Sequence, residues 1–351
     1  MQVEPMRFAL LGAGMVSDAH ARSLCELPEA ELVVVYSRTA ARAMALANKY
    51  QVAWTTDLEA VLTRGDLDAV IVATAPYNHA GHSIAAMQAG KDALVEKPMA
   101  VSTAECDRMI ATARQTGRTL GVVLQNRFKK AVRGVKEFVD AGRLGPLLHL
   151  SGYVKWYRPQ NYYEANDWRG RLALEGGGVI FSQAGHTLDL MRWIGGPVAW
   201  VFTNMVIAPV HRNIEIENLG IVTMRFANGA TGVLEASTAL YPGSPERLEI
   251  YGARGTLALE AGNVTKWEVK GRTAEDEPGD TQEVSGTGAS DPMAFPITWH
   301  KAVIADFIRA ARESRPPAVD GRQGRLLNEL SEAIYRSARE QRVVHLHDAA
   351  T

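Results

Sequence analysis

The most evident chemistry in this 351-residue chain lies in a turn, Gly12-Ala13-Gly14-Met15-Val16-Ser17, placed directly after an apolar run and ahead of a helical pattern. Glycines in that setting let the backbone approach a pyrophosphate, whose charge then sits at the positive N-terminal end of a helix. The turn predicts dinucleotide binding by Gly12, Gly14, Met15 and Val16, although a glycine pattern by itself also suits a plain tight turn. Ser17 stands where a third glycine is usual, and its small side chain still permits close helix packing. At the end of the second strand an NAD site usually offers a carboxylate to the ribose. Here the residues are Tyr36-Ser37-Arg38-Thr39, with no Asp or Glu between Glu31 and Asp57. Arg38 can pair a 2′-phosphate, so NADP(H) is expected ahead of NAD(H), with Ser37 and Arg38 at the adenosine end. The plainer reading of Arg38 is stacking on adenine or solvation.

A second group of residues has chemistry without a pattern that fixes its use. His186 and Asp189 sit three apart in a helical stretch, Val179–Ile194, and so share a face. With His79 and His82 added they still make no complete ligand set, and no metal is expected. The aromatic-rich run Lys155-Trp156-Tyr157-Arg158-Pro159-Gln160-Asn161-Tyr162-Tyr163, with Asn166-Asp167-Trp168-Arg169, combines ring faces and hydrogen-bond donors. That combination suits a hydroxylated ring, apolar on its C–H face and polar at its edge. Tyr157, Trp168 and Arg169 are the candidate substrate contacts; loop bracing or a subunit interface is the alternative. By residue type alone, Lys97 reads as an ordinary exposed lysine and His186 as a satisfied core histidine.

These residues need positioning elements. The first third of the chain alternates strand-like and helical runs: Arg7–Leu11, Val16–Leu27, Leu32–Tyr36, Ala40–Lys49, Ala69–Thr74, His79–Ala89, Ala93–Glu96, Ser102–Thr116 and Thr119–Leu124. Such alternation predicts a doubly wound parallel sheet with helices on both faces, an α/β domain over 1–125. Gly90 and Gly117 stop two of the helices, and Asp57 and Ser102 are available as N-caps. After about Gly145 the pattern changes to a strand (Leu147–Lys155), the aromatic segment, the Val179–Ile194 helix and a series of alternating strands. Gly220–Phe226 and Thr231–Ala239 flank Asn228-Gly229, a tight-hairpin signal. The region 126–351 is therefore expected to be an α+β domain with a large, mostly antiparallel sheet open on one face. Gly271 to Ser290 reads as a polar surface hairpin or loop, and Thr298–Glu313 and Gln323–Arg339 as two closing helices.

Composition narrows the partners. The 38 Lys and Arg nearly balance the 39 Asp and Glu, and no basic run supplies the footprint of a nucleic-acid or membrane-surface binder. A small molecule is the expected partner. With 46% apolar residues the chain can fill two cores. Only Cys25 and Cys106 are present, each in a helical stretch, which fits a reducing compartment. No export signal is read, so a cytoplasmic location is expected.

Glu96-Lys97-Pro98 follows Thr74-Ala75-Pro76-Tyr77-Asn78-His79 and Gln88-Ala89-Gly90-Lys91. Further along come Gln125-Asn126-Arg127-Phe128, Trp168-Arg169-Gly170, Gly176-Gly177-Gly178, Gly185-His186-Thr187-Leu188-Asp189, His300 and Asp306-Phe307. In these ordered motifs the chain resembles, over nearly its whole length, the glucose-fructose oxidoreductase, inositol dehydrogenase and MocA (Gfo/Idh/MocA) family. The resemblance implies a Rossmann N-terminal domain with NAD(P) held by Thr74, Pro76, Asn78, His79, Glu96, Lys97, Gln125 and Arg127 besides the glycine turn. It also implies a cis bond before Pro98, Lys97 aimed at the substrate oxygen, and His186 exchanging the proton. Asn126, Ser182 and Asp189 join the implied substrate contacts. Inositol dehydrogenases place an aspartate where this chain has Ser182, so whether Asp189 orients His186 or His186 acts with Lys97 alone stays open. The implied activity is hydride transfer between nicotinamide and a secondary hydroxyl or carbonyl of a sugar or polyol. A same-fold enzyme that retains its cofactor and cleaves or isomerises glycosides, and a non-catalytic nucleotide-sensing regulator, are the alternatives. A homodimer or homotetramer through the open sheet face is expected.

Overall fold

The apolar runs of the first third pair side by side, the central ones buried on both faces. In the computed structural model, which describes residues 4–273, 276 and 296–346, they are β1 (Met6–Leu11), β2 (Ala30–Tyr36), β3 (Ala53–Thr55), β4 (Ala69–Val72), β5 (Asp92–Glu96) and β6 (Leu120–Val123). All pairs are parallel and the order is β3-β2-β1-β4-β5-β6. The connecting helices are α1 (Ser17–Glu26), α2 (Ala40–Tyr50), α3 (Leu58–Leu62), α4 (His79–Gln88) and α5 (Thr103–Thr116). Local signals set their ends. The Asp57 carboxylate caps α3 and the Ser102 hydroxyl caps α5, while Gly117 closes α5 in the left-handed conformation at φ 66°. Chain order reverses between β1 and β4, the point at which sheets of this kind bind ligands beyond the carboxyl ends of their strands.

The chain divides into two units, Met1–Gln125 with Ile297–Asn328, and Asn126–Pro296 with Glu329–Thr351. The segment 297–328, expected in the second domain, thus belongs to the first. The helix Thr298–Arg312 covers the β1 and β6 side of the parallel sheet. Its Phe307 ring lies 6.4 Å from that of Phe8, and it occupies the space that a Cβ on Gly121 of β6 would need, 2.8 Å away. Val122 N–H donates to the Val319 carbonyl, binding the following loop to the same edge.

In the second unit, α6 (Lys130–Asp140) precedes β7 (Leu147–Lys155), the short α7 (Gln160–Glu164) and α8 (Leu172–Glu175), then α9 (Gly185–Gly195). The strands β8 (Val198–Val206), β9 (Leu219–Phe226), β10 (Thr231–Ser237), β11 (Arg247–Gly252), β12 (Gly255–Glu260), β13 (Asn263–Val269) and β14 (Val344–His345) complete an eight-stranded sheet. Its order is β13-β12-β11-β7-β10-β9-β8-β14, antiparallel except for β7 with β10. Gly229, at φ 90°, makes the β9–β10 hairpin turn. One sheet face is core: Leu150, Val154, Val222, Met224, Leu234 and Ile250 are buried. Gly152 of β7 is required there, because a Cβ would meet the Met191 sulfur of α9 at 2.6 Å. On β8 and β9 the outward residues Phe202, Val206 and Ile221 are exposed.

Helix α6 was not anticipated, although Ala131, Val132, Val135 and Phe138 make a helical stripe that is buried here. The expected Val179–Ile194 helix starts instead at Gly185. The preceding residues are a chain of turns, because the Glu217 carboxylate accepts the N–H groups of Gly178 and Ile180 and its carbonyl accepts that of Val179. The loop expected from Gly271 to Ser290 lies outside the described residues except for 271–273 and 276. Among the described residues no helix is long and apolar enough to cross a membrane.

Candidate functional site

In the first unit the carboxyl ends of β1, β2, β4 and β5 deliver the candidate residues. Gly12 leaves β1 at φ 125°, and a Cβ on it would stand 2.3 Å from the Ala73 carbonyl oxygen, so only glycine fits against the end of β4. A Cβ on Gly14 meets no atom within 4 Å, which leaves the outer side of the turn open. The Ser17 hydroxyl, fully buried at the start of α1, accepts the Gly14 N–H at 3.0 Å. Serine therefore braces the turn where a third glycine would only have avoided a clash. Met15 is exposed and Val16 is the N-cap residue of α1. A narrow glycine turn, an open outer side and a helix N-terminus together fit a dinucleotide pyrophosphate.

Beyond β2, Arg38 donates to the Tyr77 hydroxyl at 2.7 Å and its guanidinium lies 5.7 Å from the centre of that ring. Ser37 N–H donates to the Thr55 carbonyl of β3, and the Ser37 hydroxyl accepts the Thr39 N–H. Thr74 follows β4, and Pro76 to Asn78 form a single 3-10 turn into α4. His79 is buried, with Nδ1 2.7 Å from the Pro98 carbonyl and Nε2 3.0 Å from that of Thr74. Burial pushes its pKa down. Both ring nitrogens face backbone between two candidate loops.

The end of β5 is held from inside the unit. Glu96 Oε1 lies 2.8 Å from His20 Nε2, and Oε2 accepts the Lys97 N–H at 3.0 Å. One Glu96 oxygen thus meets a histidine and the other fixes the backbone of the next residue. Burial would raise its pKa, but the His20 hydrogen bond and charge, with His300 and Lys97, hold it down to about 2. His20, Glu96 and His300 bring potential metal ligands within 4.8 Å of one another. The short His20–Glu96 contact has hydrogen-bond length, and burial, with the charge of His20, lowers the His300 pKa to about 4. The Lys97-Pro98 peptide is cis, with Lys97 half-buried at the strand end.

In the second unit α9 carries His186 in its first turn and Asp189 one turn on. Asp189 is paired: Arg127 Nε and Nη2 donate to its two carboxylate oxygens at 2.8 and 2.5 Å, both side chains being buried. Arg127, expected at the cofactor, and Asp189, expected at the substrate, thus form one bidentate pair. The Arg127 guanidinium also lies 5.2 Å from the Trp193 ring. Gln125 and Asn126 stand in the 3-10 turn Gln125–Phe128. Asn126 lines a small cavity with Lys129, Thr187 and Glu246.

The turns before α9 hold Ser182, whose N–H donates to the Gly178 carbonyl, and Gln183, whose amide donates to the Tyr162 hydroxyl at 2.9 Å. Tyr162 gathers Arg169 at 4.1 Å, and Arg169 also covers Trp168 at 4.7 Å. Tyr157 lies apart from that cluster, edge-on to Tyr241 at 5.2 Å. Sequence reasoning missed Tyr162 and Gln183 as the link between the aromatic segment and the His186 helix. It also missed Glu217 and Tyr335. Tyr335 hydroxyl donates to Glu217 at 2.7 Å, and its oxygen would stand 2.3 Å from a Cβ on Gly177.

Comparison with known proteins agrees with this geometry. Residues 6–124 match a family model described as the Oxidoreductase family, NAD-binding Rossmann fold, and 132–258 match the GFO/IDH/MocA C-terminal domain. The chain is 26% identical to myo-inositol 2-dehydrogenase of Thermotoga maritima, over 98% of this chain and 99% of that protein. It is 30% identical to 4-carboxy-2-hydroxymuconate-6-semialdehyde dehydrogenase of Sphingobium sp., over 66% of this chain and 72% of the relative. Among solved structures, the WlbA dehydrogenase of Bordetella pertussis in complex with NADH and UDP-GlcNAcA superposes with a TM-score of 0.88. The two chains are 28% identical over 99% of each.

Proposed function

The chain belongs to the Gfo/Idh/MocA family of NAD-binding oxidoreductases, and from that premise we propose that it oxidises a secondary hydroxyl, or reduces the matching carbonyl, on a sugar, polyol or related small molecule. The observation that carries the reading is the end of β5. There a buried carboxylate fixes the Lys97 N–H and a buried histidine meets the Pro98 carbonyl, an investment of polar groups that an ordinary surface lysine does not need. When bound, the nicotinamide supplies the two-electron acceptor or donor.

Lys97 holds the reacting oxygen by a charged hydrogen bond and polarises it. His186 takes the hydroxyl proton during oxidation and returns it during reduction. Ser182 stands where inositol dehydrogenases place a carboxylate, and Asp189 is paired with Arg127. Gly12, Gly14, Met15 and Val16 hold the pyrophosphate. Ser37 and Arg38 hold the adenosine end, and NADP(H) is preferred over NAD(H) because β2 ends on a cation with no carboxylate nearby in sequence. The inositol named for the Thermotoga relative and the UDP-sugar acid named for WlbA support a hydroxylated substrate. The protein works in the cytoplasm as a homodimer or homotetramer, and Cys25 and Cys106 are not joined in a disulfide.

The test is nicotinamide absorbance during incubation with sugars, polyols and keto-sugars, using each cofactor in turn, for the wild type, Lys97→Met and Arg38→Ala. Turnover that Lys97→Met lowers by at least about a thousandfold, with cofactor binding intact, is expected of a residue acting on the reacting oxygen. Arg38→Ala is expected to remove the preference for NADP(H). An active Lys97→Met enzyme contradicts the assignment of Lys97, and an unchanged NADPH/NADH affinity ratio contradicts that of Arg38.

A further inference from the structure

His20 is fully buried on α1, three residues after Ser17, so one helix face carries both the residue that braces the glycine turn and this histidine. Its Nε2 lies 2.8 Å from Glu96 Oε1 on β5, 76 positions away. Its Nδ1 has no hydrogen-bond partner among the described residues. The ring is closed in by the helix Thr298–Arg312, whose His300 meets it edge-on at 5.2 Å and 84°. Lys301, next to His300, pairs with Glu26 at the end of α1 at 3.1 Å, which holds that helix in place. Burial, aided by the charge of His20 and opposed by that of Glu96, lowers the His300 pKa to about 4, so at neutral pH an uncharged ring covers His20.

An ionised carboxylate only accepts hydrogen bonds, so the short contact places a proton on His20 Nε2. A carboxylate held through one oxygen still turns about its Cγ–Cδ bond. Held through both, its plane is set: His20 fixes Oε1, and Oε2 is kept where the Lys97 N–H donates to it at 3.0 Å. Charge matters as well. Burial by itself drives Glu96 toward the neutral acid, and the His20 hydrogen bond is the foremost influence that opposes it; a charged acceptor makes the stronger bond. On the other side of Lys97, His79 Nδ1 lies 2.7 Å from the Pro98 carbonyl. The backbone at Lys97 is therefore anchored from α1 through Glu96 and from α4 through Pro98.

We propose that His20 is a positioning residue for Lys97: by donating to Glu96 it sets the plane of the carboxylate that holds the Lys97 N–H, and so ties the helix behind the glycine turn to the group that holds the reacting oxygen. The inference rests on the dehydrogenase reading above for the role of Lys97. His20 touches neither substrate nor cofactor in this role, and it acts only through Glu96.

The experiment compares the wild type with His20→Leu, which removes the donor, His20→Gln, which offers an amide N–H at similar reach, and His20→Leu/Glu96→Ala beside Glu96→Ala. His20→Asn, whose shorter amide falls short of Glu96, repeats the test without an apolar substitution should His20→Leu fail to fold. Melting temperatures establish folding, and fluorescence titration gives cofactor affinity. In folded His20→Leu, kcat is expected to fall on the order of a hundredfold with KM and NAD(P)H affinity within about threefold of the wild type. His20→Gln is expected to recover to within about tenfold of the wild type. Adding His20→Leu to Glu96→Ala should cost no more than about threefold further, because residues that act through one contact are not additive. A second readout needs no substrate: hydrogen exchange at the Lys97 amide, isolated by fragments that end on either side of it since Pro98 has no N–H. Exchange is expected to be at least about tenfold faster in His20→Leu than in the wild type or His20→Gln.

A histidine that only fills space would lower the melting temperature and leave kcat and Lys97 exchange of the folded protein at wild-type values, which overturns the proposal. Equal impairment of His20→Leu and His20→Gln, or the full loss from His20→Leu in the Glu96→Ala background, overturns it too. The expected exchange pattern without turnover of any sugar or polyol retains the positioning contact and sinks the dehydrogenase reading. Turnover abolished by Lys97→Met yet indifferent to His20→Leu does the reverse.

Discussion

The most informative side chains are those that fix backbone for a neighbour. Glu96 holds the Lys97 N–H, His79 meets the Pro98 and Thr74 carbonyls, and Glu217 gathers the Gly178 and Ile180 N–H groups ahead of the His186 helix. Glu217 also gives a pH signature. Burial pushes its carboxyl up to about 7, against hydrogen bonds from Ile180, Tyr335 and Gly178 that pull the other way. A folded-state value raised above the ordinary 4.5 contributes stability that is complete below pH ~4.5 and is lost as pH rises through about 7. The loss is on the order of 3 kcal/mol. Urea unfolding at intervals from pH 4.5 to 8.5 checks this: stability of the wild type should decline across the window relative to Glu217→Gln. Parallel profiles for the two proteins contradict it.

At the scale of elements, the glycine turn makes a separable prediction about fold and binding. Gly12→Ala forces a side chain into the left-handed region and against the Ala73 carbonyl, and is expected to destabilise by about 1–3 kcal/mol or more. Gly14→Ala meets no protein atom; it should melt near the wild type yet bind NAD(P)H at least about tenfold more weakly, because its methyl group stands on the side open to the pyrophosphate. Thermal melts with cofactor titration by fluorescence measure both, and full affinity in Gly14→Ala would remove the pyrophosphate from this turn.

The same scale shows what was legible in the sequence. β1, α1 and the turn between them were readable because burial on both strand faces and the glycine spacing are local signals. Lys97 and His186 were picked out by the ordered motifs around them rather than by their own types. The Arg127–Asp189 pair was not readable, since the partners lie 62 positions apart and each alone resembled a ligand contact. The late start of α9 was hidden for a similar reason. Its preceding residues continue the apolar run of the helix, and the distant Glu217 and Tyr335 take up N–H groups there. β3 is a three-residue edge strand with exposed residues and offers no alternation to read.

For the whole molecule, the return of 297–328 to the first unit follows from packing rather than chain order: Phe307 lies against Phe8 and over Gly121, within the parallel-sheet unit. The second unit leaves Phe202, Val206 and Ile221 exposed on adjoining strands of a sheet face, an apolar patch of the kind that self-association covers. Light scattering after size exclusion should give a dimer or tetramer for the wild type and a lower mass for Phe202→Glu/Ile221→Glu. A concentration-independent wild-type monomer would remove the sheet from the account.

The central claim is that this chain moves hydrogen between nicotinamide and a carbinol carbon, with Lys97 holding the oxygen. Its most direct test is isotopic: a keto-sugar or keto-acid that the enzyme turns over is reduced with NAD(P)H deuterated at the transferable position, and the product is examined by mass spectrometry. The account predicts one deuterium at the new carbinol carbon from the wild type and no product above background from Lys97→Met. A product whose new carbon-bound hydrogen comes from solvent, or equal deuteration by both proteins, would contradict it.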